Sequence, residues 1–319
     1  MKIFWILLGI AVFLAAVILL IAYLCFRMAF LAHKRKKVPS EGIEIPDGEI
    51  YEAFRESMER WARETRAMPH EDVSITSFDG LTLWGKFYEY APNAPIELMF
   101  HGYRGSAERD LCGGVQRCFK LGRSALIVDQ RCSGKSQGRV ITFGIREHRD
   151  CLSWIDFMCR RFGPDVKIIL TGISMGASTV LMAGGTPLPK NVIGILADCG
   201  YSSPRDIIKK VIRQLGLPVE LGYRFVKLGA RLYGRFDLEA SSPVEMVARC
   251  TVPVIFFHGE ADDYVPWEMS KKNYDACVSE KRLMTVPGAG HGLSYAIAPK
   301  EYLDALREFF GPEASATKS

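Results

Sequence analysis

The sequence lacks the cysteine and histidine patterns that hold a metal or a disulfide framework. Its nine cysteines are an odd number, and none forms a Cys-x-x-Cys pair or joins a histidine at the spacing of a zinc site. Scattered free thiols are typical of a reducing compartment. Internal repeats and low-complexity tracts are also missing, which excludes a solenoid or a fibrous protein. At 319 residues, the chain is long enough for one large globular domain or two small ones.

An excess of positive charge is missing from most of the chain. The formal net charge is +5 at pH 7, but Lys2, Arg27 and the four basic residues at 34–37 carry six of the positive charges. Without these six, the rest of the chain carries −1. We therefore expect no nucleic-acid partner, and the basic cluster near the N-terminus indicates contact with a membrane surface.

One long apolar run is present, and it lies at the N-terminus. Residues 3–26 are uncharged and mostly apolar, and as a helix they would span about 36 Å, which exceeds the bilayer core of about 30 Å. A cleaved signal peptide is the alternative, but its apolar region usually has only about 7–15 residues before a small-residue cleavage site. We predict an uncleaved transmembrane anchor at residues 1–27 and a basic flank and linker at 28–48. Because the basic residues follow the run, the positive-inside rule predicts a single-pass protein of the cell membrane with its main domain in the cytoplasm.

Strands and helices alternate through the rest of the chain. Residues 49–68 have helical periodicity, and residues 73–90 have the alternation of a hairpin with Asp79-Gly80 at its turn. The later alternation predicts an α/β domain at 49–311 with a mostly parallel central sheet and helices on both faces, followed by a disordered tail at 312–319. Further strands are predicted at 95–100, 125–128, 167–173, 192–197, 253–257 and 282–286. Further helices are predicted at about 108–121, 146–161, 176–184, 267–278 and 299–310.

A helical insertion interrupts this alternation at about residues 201–249. Between Arg205 and Arg235, eight Arg or Lys residues stand against two acidic residues, and apolar residues lie among them. We expect a lid over the strand ends, whose apolar face lines the substrate pocket and whose basic face lies near anionic lipid headgroups. The alternative is an ordinary helical excursion with a solvated basic face.

The sequence Gly172-Ile173-Ser174-Met175-Gly176 lies between an apolar strand and a helix that begins with small residues. A turn of this kind is so tight that side chains two residues before and after the serine would clash, and glycine removes them. We predict that Ser174 is a nucleophile with its hydroxyl at the tip of the turn. The N–H of Met175, in the first turn of the helix, is predicted to face a developing oxyanion.

A serine nucleophile needs a base and a carboxylate that orients the base. Of the six histidines, His101 and His258 directly follow strands and are expected to be structural, whereas His291 lies in a glycine-rich loop after the last strand. The order Ser…Asp…His makes His291 the predicted base. The loop after the strand at 253–257 offers two adjacent carboxylates, Asp262 and Asp263, and their spacing does not choose between them.

Together these motifs resemble the α/β-hydrolase fold of serine hydrolases. In that family the acid is the first Asp after His-Gly-x-x, which implies Asp262, and the second oxyanion donor is the N–H two residues after a strand-end histidine, which implies Tyr103. The resemblance covers about residues 73–310 and extends, within the superfamily, to membrane-anchored hydrolases of the serine-aminopeptidase and acylglycerol-lipase-like branch. One departure is Cys132-Ser133, which stands where the family usually has Gly-His or Gly-Tyr, so the shape of that loop is left open. The motifs that carry the resemblance are Gly172-Ile173-Ser174-Met175-Gly176, His258-Gly259-x-x-Asp262-x-x-Val265-Pro266, Gly288-Ala289-Gly290-His291, Phe100-His101-Gly102-Tyr103 and Asp129-Gln130-Arg131-x-x-Gly134-x-Ser136-x-Gly138.

The resemblance implies acyl transfer to water through an acyl-enzyme, without a metal or an organic cofactor. The apolar insertion and the anchor favour an ester or thioester of an apolar acyl group, a small or lipid-like molecule, so we expect a carboxylesterase or lipase. A peptidase with the same triad is the alternative, and it would need carboxylates facing the pocket to bind a free amine. A tethered scaffold without catalysis is disfavoured, because all three triad positions and both glycines of the turn are present. The sequence does not define an oligomeric state.

Overall fold

An eight-stranded sheet forms the centre of the computed structural model, which describes residues 1–32 and 42–311. The strands are β1 Glu71–Thr76, β2 Thr82–Tyr88, β3 Ile96–Phe100, β4 Ser124–Val128, β5 Ile168–Ile173, β6 Val192–Asp198, β7 Val254–Gly259 and β8 Lys281–Val286. Their order in the sheet is β1-β2-β4-β3-β5-β6-β7-β8. The pairs β1–β2 and β2–β4 are antiparallel, and all the other pairs are parallel. The mostly parallel sheet predicted from the sequence is therefore confirmed, as is the hairpin formed by β1 and β2.

Helices cover both faces of this sheet, as predicted. The helices are α1 Lys2–Ala29, α2 Glu49–Glu52, α3 Arg55–Ala67, α4 Ala107–Lys120, α5 Glu147–Phe162, α6 Met175–Gly184, α7 Pro204–Gln214, α8 Val219–Gly229, a π-helical turn Ala230–Gly234, α9 Pro243–Val247, α10 Glu268–Ala276, α11 Ser294–Ile297 and α12 Pro299–Phe310. Successive side chains of a strand point to opposite faces. Leu98 accordingly packs in a cluster with α5 and α6, whereas Met99 packs with α4 and, on the same face, Leu196 packs with α12.

The N-terminal apolar run forms α1, a helix of 28 residues. Its most apolar 18-residue window has a mean hydropathy of 3.1 and is not buried by the rest of the protein, so α1 is long and apolar enough to cross a membrane. The end of α1 differs, because Ala22 and Phe26 are buried against the domain. The basic cluster at 34–37 and the predicted tail at 312–319 lie outside the described residues.

Two helical segments lie outside the core layers. The helix predicted at 49–68 consists of α2 and α3, which are separated at Ala53 and Phe54. The insertion predicted at about 201–249 lies between β6 and β7 and contains α7, α8, the π-helical turn and α9. Both segments are near the carboxyl ends of the parallel strands, where sites of α/β proteins form.

Candidate active site

Ser174 occupies a sharp turn between β5 and α6. Its backbone angles are φ 57° and ψ −120°, a conformation that costs a non-glycine residue about 1–3 kcal/mol. A Cβ on Gly172 would lie 2.2 Å from the backbone of Gly176, and a Cβ on Gly176 would lie 2.0 Å from the carbonyl oxygen of Phe100. The steric reason predicted for the two glycines is thus confirmed. The turn leaves the serine side chain above the carboxyl end of β5.

The structure brings the three predicted triad side chains together from distant parts of the chain. His291 Nε2 lies 2.9 Å from Ser174 Oγ, and His291 Nδ1 lies 2.7 Å from Asp262 Oδ2. Because the carboxylate can only accept, Nδ1 carries the proton of the neutral imidazole and Nε2 is free to accept from the serine hydroxyl. This arrangement can remove a proton from Ser174 and return it to a leaving group.

Asp262 is held in place as an anion. Its Oδ1 accepts hydrogen bonds from the N–H groups of Tyr264 and Val265, both at 2.8 Å, and its Oδ2 lies 3.2 Å from His258 Nε2. Burial alone would raise the pKa of Asp262, but the hydrogen bonds from His258 and His291 outweigh it, and the pKa lies well below its usual range. Asp262 is therefore the carboxylate that orients the imidazole.

His258 and His101 are fully buried at the ends of their strands, as expected of structural histidines. His101 accepts a hydrogen bond from the N–H of Gln130 at 3.0 Å, which ties β3 to the loop after β4. His258 contributes more than the sequence indicated, because its Nε2 contacts Asp262 and donates to the carbonyl oxygen of Val265 at 2.8 Å. Its position four residues before Asp262 was the signal that could have suggested this contact.

The two predicted oxyanion donors flank the serine. Met175 begins α6, where a helix leaves its N–H without an intrahelical acceptor. A Cβ on Gly102 would lie 3.4 Å from the Cβ of Ser174, so the loop that carries Tyr103 runs beside the nucleophile. Within residues 42–311, the N–H groups of Met175 and Tyr103 donate to no protein acceptor, whereas the N–H of Gly102 donates to Asp110 at 3.0 Å. Both predicted donors therefore remain available to a substrate oxygen.

A cavity of about 480 Å³ begins at Ser174 and His291 and continues between α3, α4 and the sheet. Its outer wall comes from residues 46–61, and the sequence pattern did not predict that this segment lines a cavity. The Tyr51 hydroxyl of that segment donates to the carbonyl oxygen of His291 at 3.0 Å. The apolar lining includes Ile50, Met58, Trp61, Met99, Leu111, Ile173 and Leu196, and the charged lining includes Asp47, Glu49, Arg109, Asp110, Arg117 and Asp198.

The insertion at 201–249 contributes no residue to this cavity. The prediction that its apolar face lines the substrate pocket is therefore wrong. Its buried apolar side chains pack instead in one cluster with Phe26 and Phe30 at the end of α1, the chain's own N-terminal helix. The buried residues of the insertion in this cluster are Tyr201, Ile207, Ile208, Ile212, Tyr223, Val226, Ala230, Phe236 and Leu238.

The loop in which the sequence departs from the family pattern is well formed. Cys132 has φ 71°, in the left-handed region that favours glycine, which explains why glycine is usual there. The side chain of Asp129 accepts from the N–H groups of Lys135 and Ala107, at 3.0 and 3.1 Å, and so closes the loop onto α4. The loop supplies no side chain to Ser174, His291 or Asp262.

One group of potential metal ligands occurs among the described residues. Cys199, Asp262 and His291 place one ligand atom each within 4.8 Å of one another. Burial raises the pKa of the Cys199 thiol well above its usual range, whereas zinc needs the thiolate. Since His291 and Asp262 are also bonded to each other, this group fits a proton-transfer pair better than a metal centre.

Comparison with known proteins shows which fold this geometry belongs to. No protein-family model matches the chain. The uncharacterized protein YqkD of Bacillus subtilis is 25% identical over 190 residues, which are 59% of this chain and 62% of YqkD. The uncharacterized protein YfhR of Escherichia coli K12 is 25% identical over 280 residues, 85% of this chain and 86% of YfhR. The esterase Pf2001 of Pyrococcus furiosus is 22% identical, with a TM-score of 0.63 over 85% of this chain and 98% of Pf2001. The chain has the α/β-hydrolase fold.

Proposed function

We propose that the protein is a serine hydrolase that cleaves carboxylic esters or thioesters of an apolar acyl group. One observation carries the proposal. The imidazole of His291 lies 2.9 Å from the hydroxyl of Ser174, whose backbone is strained, and 2.7 Å from the ionised carboxylate of Asp262. The fold is shared with the esterase Pf2001, which is consistent with this activity.

The first half of the reaction forms an acyl-enzyme. Ser174 Oγ attacks the carbonyl carbon while its proton moves to His291 Nε2, and the carbonyl electron pair moves to the oxygen. The resulting tetrahedral oxyanion is stabilised by the N–H groups of Met175 and Tyr103, each contributing about 3 kcal/mol to the lowering of the barrier. When the oxyanion collapses, the bond to the leaving alkoxide or thiolate breaks, and the proton on His291 is transferred to that leaving group.

The second half hydrolyses the acyl-enzyme. A water molecule gives its proton to His291 Nε2 and attacks the same carbonyl carbon, and Ser174 then leaves with that proton restored. In both halves the carboxylate of Asp262 stabilises the imidazolium and keeps its Nε2 directed at the reacting oxygen. The low pKa of Asp262 supports this role, because the carboxylate stays charged throughout.

The cavity supports an apolar acyl or alcohol group of moderate size. Its volume of about 480 Å³ lies within the range of small-molecule sites, and most of the surface of its wall is apolar. We infer further that α1 anchors the enzyme in the cell membrane and that the basic residues Arg27 and 34–37 keep the domain in the cytoplasm. Lipid-soluble esters would then reach the site at a high local concentration.

A membrane-anchored peptidase with the same triad is the second candidate, and one observation favours it. Asp47 and Glu49 are exposed on the cavity wall, where a carboxylate could bind the amine of an aminoacyl substrate. Aminoacyl p-nitroanilides compared with p-nitrophenyl esters distinguish the two activities. If the amides are the better substrates, and Glu49→Gln and Asp47→Asn raise their KM without changing ester hydrolysis, the peptidase assignment replaces the esterase assignment.

Hydrolysis of p-nitrophenyl esters by the full-length protein in detergent tests the proposal. We expect the wild type to hydrolyse short and medium-chain esters and Ser174→Ala to lose at least about 10³-fold in kcat/KM. Ser153→Ala is the matched control, because Ser153 is a partly buried residue of α5 whose hydroxyl donates to the carbonyl of Arg149 in its own helix. Full activity in the folded Ser174→Ala variant would rule out the proposed nucleophile.

A further inference from the structure

The loop that carries Tyr103 is bonded to the end of the membrane-length helix α1. The hydroxyl of Tyr103 donates to the carbonyl oxygen of Ala29 at 2.7 Å. The guanidinium of Arg104 donates to the carbonyl oxygens of Met28, at 2.7 Å, and Leu31, at 3.2 Å. The last carbonyls of a helix have no intrahelical donor, so these two side chains cap α1.

Aromatic packing joins the same two parts of the molecule. Phe30 is fully buried, and its ring lies 5.7 Å from the ring of Phe143. The ring of Phe143 in turn lies 5.0 Å from that of Tyr103. Met175, which carries the other proposed oxyanion donor, is buried in the same apolar cluster. The end of α1 therefore lies in the same apolar cluster as both residues that carry the proposed oxyanion donors.

Backbone hydrogen bonds fix the segment after α1 to residues 139–141. The N–H of Ile141 donates to the carbonyl of Phe30 at 2.8 Å, and the N–H of Ala32 donates to the carbonyl of Arg139 at 2.9 Å. On the other side, a Cβ on Gly229 of α8 would lie 2.4 Å from the carbonyl oxygen of Ala22. The end of α1 is thus held between the insertion on one side and residues 139–141 and the Tyr103 loop on the other.

We propose that residues 22–32 are a positioning element of the active site: the end of the anchoring helix fixes the Gly102–Arg104 loop and, with it, the N–H of Tyr103. This inference rests on the proposed function, since it assigns that N–H to the oxyanion. Simple packing would stabilise the fold and leave turnover unchanged. A positioning element changes kcat, because an oxyanion donor acts only in the transition state. The rate of the enzyme then depends on how α1 sits in the membrane.

The variant Tyr103→Phe tests the inference in the full-length protein. It removes the bond to Ala29 and keeps the backbone N–H and the ring. We expect kcat for a water-soluble p-nitrophenyl ester to fall about tenfold, with KM and the melting temperature unchanged. Tyr233→Phe is the matched control, because the hydroxyl of Tyr233 also donates to a carbonyl of α1, that of Leu19 at 3.1 Å, but Tyr233 lies far from the Tyr103 loop in sequence and bonds to another turn of α1. We expect Tyr233→Phe to keep the wild-type kcat.

A second pair of variants moves α1 without changing the loop. Gly229→Ala forces the new methyl group against the backbone of α1, whereas Gly222→Ala, on the same helix, meets only the side chain of Ile212 at 3.0 Å. We expect Gly229→Ala to lower kcat and Gly222→Ala to leave it unchanged. In the double variant Gly229→Ala/Tyr103→Phe, the two losses should be less than multiplicative, because both act through one loop. If Gly229→Ala fails to fold, Tyr103→Phe alone decides.

The outcomes separate this inference from the proposed function. Wild-type kcat in Tyr103→Phe, with hydrolysis that still depends on Ser174, overturns the positioning role and leaves the hydrolase assignment intact. An equal loss in Tyr233→Phe also overturns it, since the effect would then be a general loosening of α1. If the wild type shows no hydrolysis that depends on Ser174, the proposed function fails and this inference fails with it.

Discussion

Two amphipathic helical segments lie near the carboxyl edge of the sheet, and they bury their apolar faces against different partners. Residues 46–61 place Ile50, Met58 and Trp61 on the wall of the cavity that begins at Ser174. The insertion at 201–249 places its buried apolar side chains against the end of α1, and none of its residues lines the cavity. One segment thus lines the cavity beside Ser174, and the other contacts α1.

An apolar face on a helix therefore indicates that another element covers it, but it does not identify that element. The insertion has the composition of a lid, and its place between β6 and β7 is that of a lid, but its apolar partner is supplied by the same chain. The loop from Asp262 to Val265 is where the two regions meet, because Tyr264 lines the cavity and Val265 packs in the cluster around α1. We call residues 46–61 and the cavity that they line the cavity side, and the insertion at 201–249 with the end of α1 the anchor side.

Asp262→Asn is expected to have the largest effect on activity. Asp262 lies in the loop where both sides meet, and its carboxylate contacts His291. An amide at this position stabilises the wrong tautomer of His291 and removes the charge that stabilises the imidazolium, so kcat should fall by about 10⁴. Steady-state ester hydrolysis measures the loss. Asp263→Asn is the matched control and should keep more than half of the wild-type activity; a comparable loss there would mean that the assignment of the acid is incorrect.

Phe26→Ala removes a buried contact between α1 and the rest of the protein. This buried ring contacts Phe30 and Tyr233, so its removal should lower the free energy of unfolding of the domain by about 3–5 kcal/mol. Denaturant unfolding of the full-length protein in detergent measures this change. Phe13→Ala, at an exposed position of the same helix, should leave the stability unchanged. The preference among acyl chain lengths should not shift in either variant, and a shift in Phe26→Ala would place Phe26 next to the substrate.

Ile50→Trp tests the cavity side. Ile50 is half exposed and lines the cavity, so a larger side chain there should reduce kcat/KM for long acyl chains by about tenfold and leave short chains unaffected. Leu221→Trp is the matched control, because Leu221 is equally exposed and lies on the insertion. A series of p-nitrophenyl esters measures both. If Leu221→Trp changes the chain-length profile and Ile50→Trp does not, the two regions have been assigned in reverse.

The low pKa of Asp262 predicts a smaller effect on stability at acid pH. A carboxylate whose pKa is lowered by folding contributes stability that is present above its unfolded pKa of about 3.9 and is lost as the pH falls below it. Between pH 7 and pH 3, protonation of Asp262 should lower the free energy of unfolding of the wild type by about 1 kcal/mol. The Asp262→Asn variant should not show this part of the decline. Denaturant unfolding at the two pH values gives the difference; identical declines in both proteins would contradict the ionised, hydrogen-bonded state of Asp262.

The sequence predicts the local chemistry of this site better than its walls. Gly172 and Gly176 were required by the turn itself, and His291 followed from its loop and its place in the chain order. Asp262 was separated from Asp263 only by the family resemblance, and the structure adds the physical reason: the backbone after Asp262 folds around its carboxylate. The cavity wall at 46–61 and the docking of α1 depend on contacts between distant segments, which periodicity does not encode.

Ser174 is the proposed nucleophile, and mapping a covalent adduct identifies the reactive residue directly. The full-length protein is treated with a fluorophosphonate, digested, and the modified residue is located by tandem mass spectrometry. The geometry predicts one adduct per chain, on Ser174, which disappears in Ser174→Ala and slows strongly in Asp262→Asn. An adduct on another residue, or an unmodified Ser174 in a protein that hydrolyses esters, would contradict the assignment of Ser174 as the nucleophile.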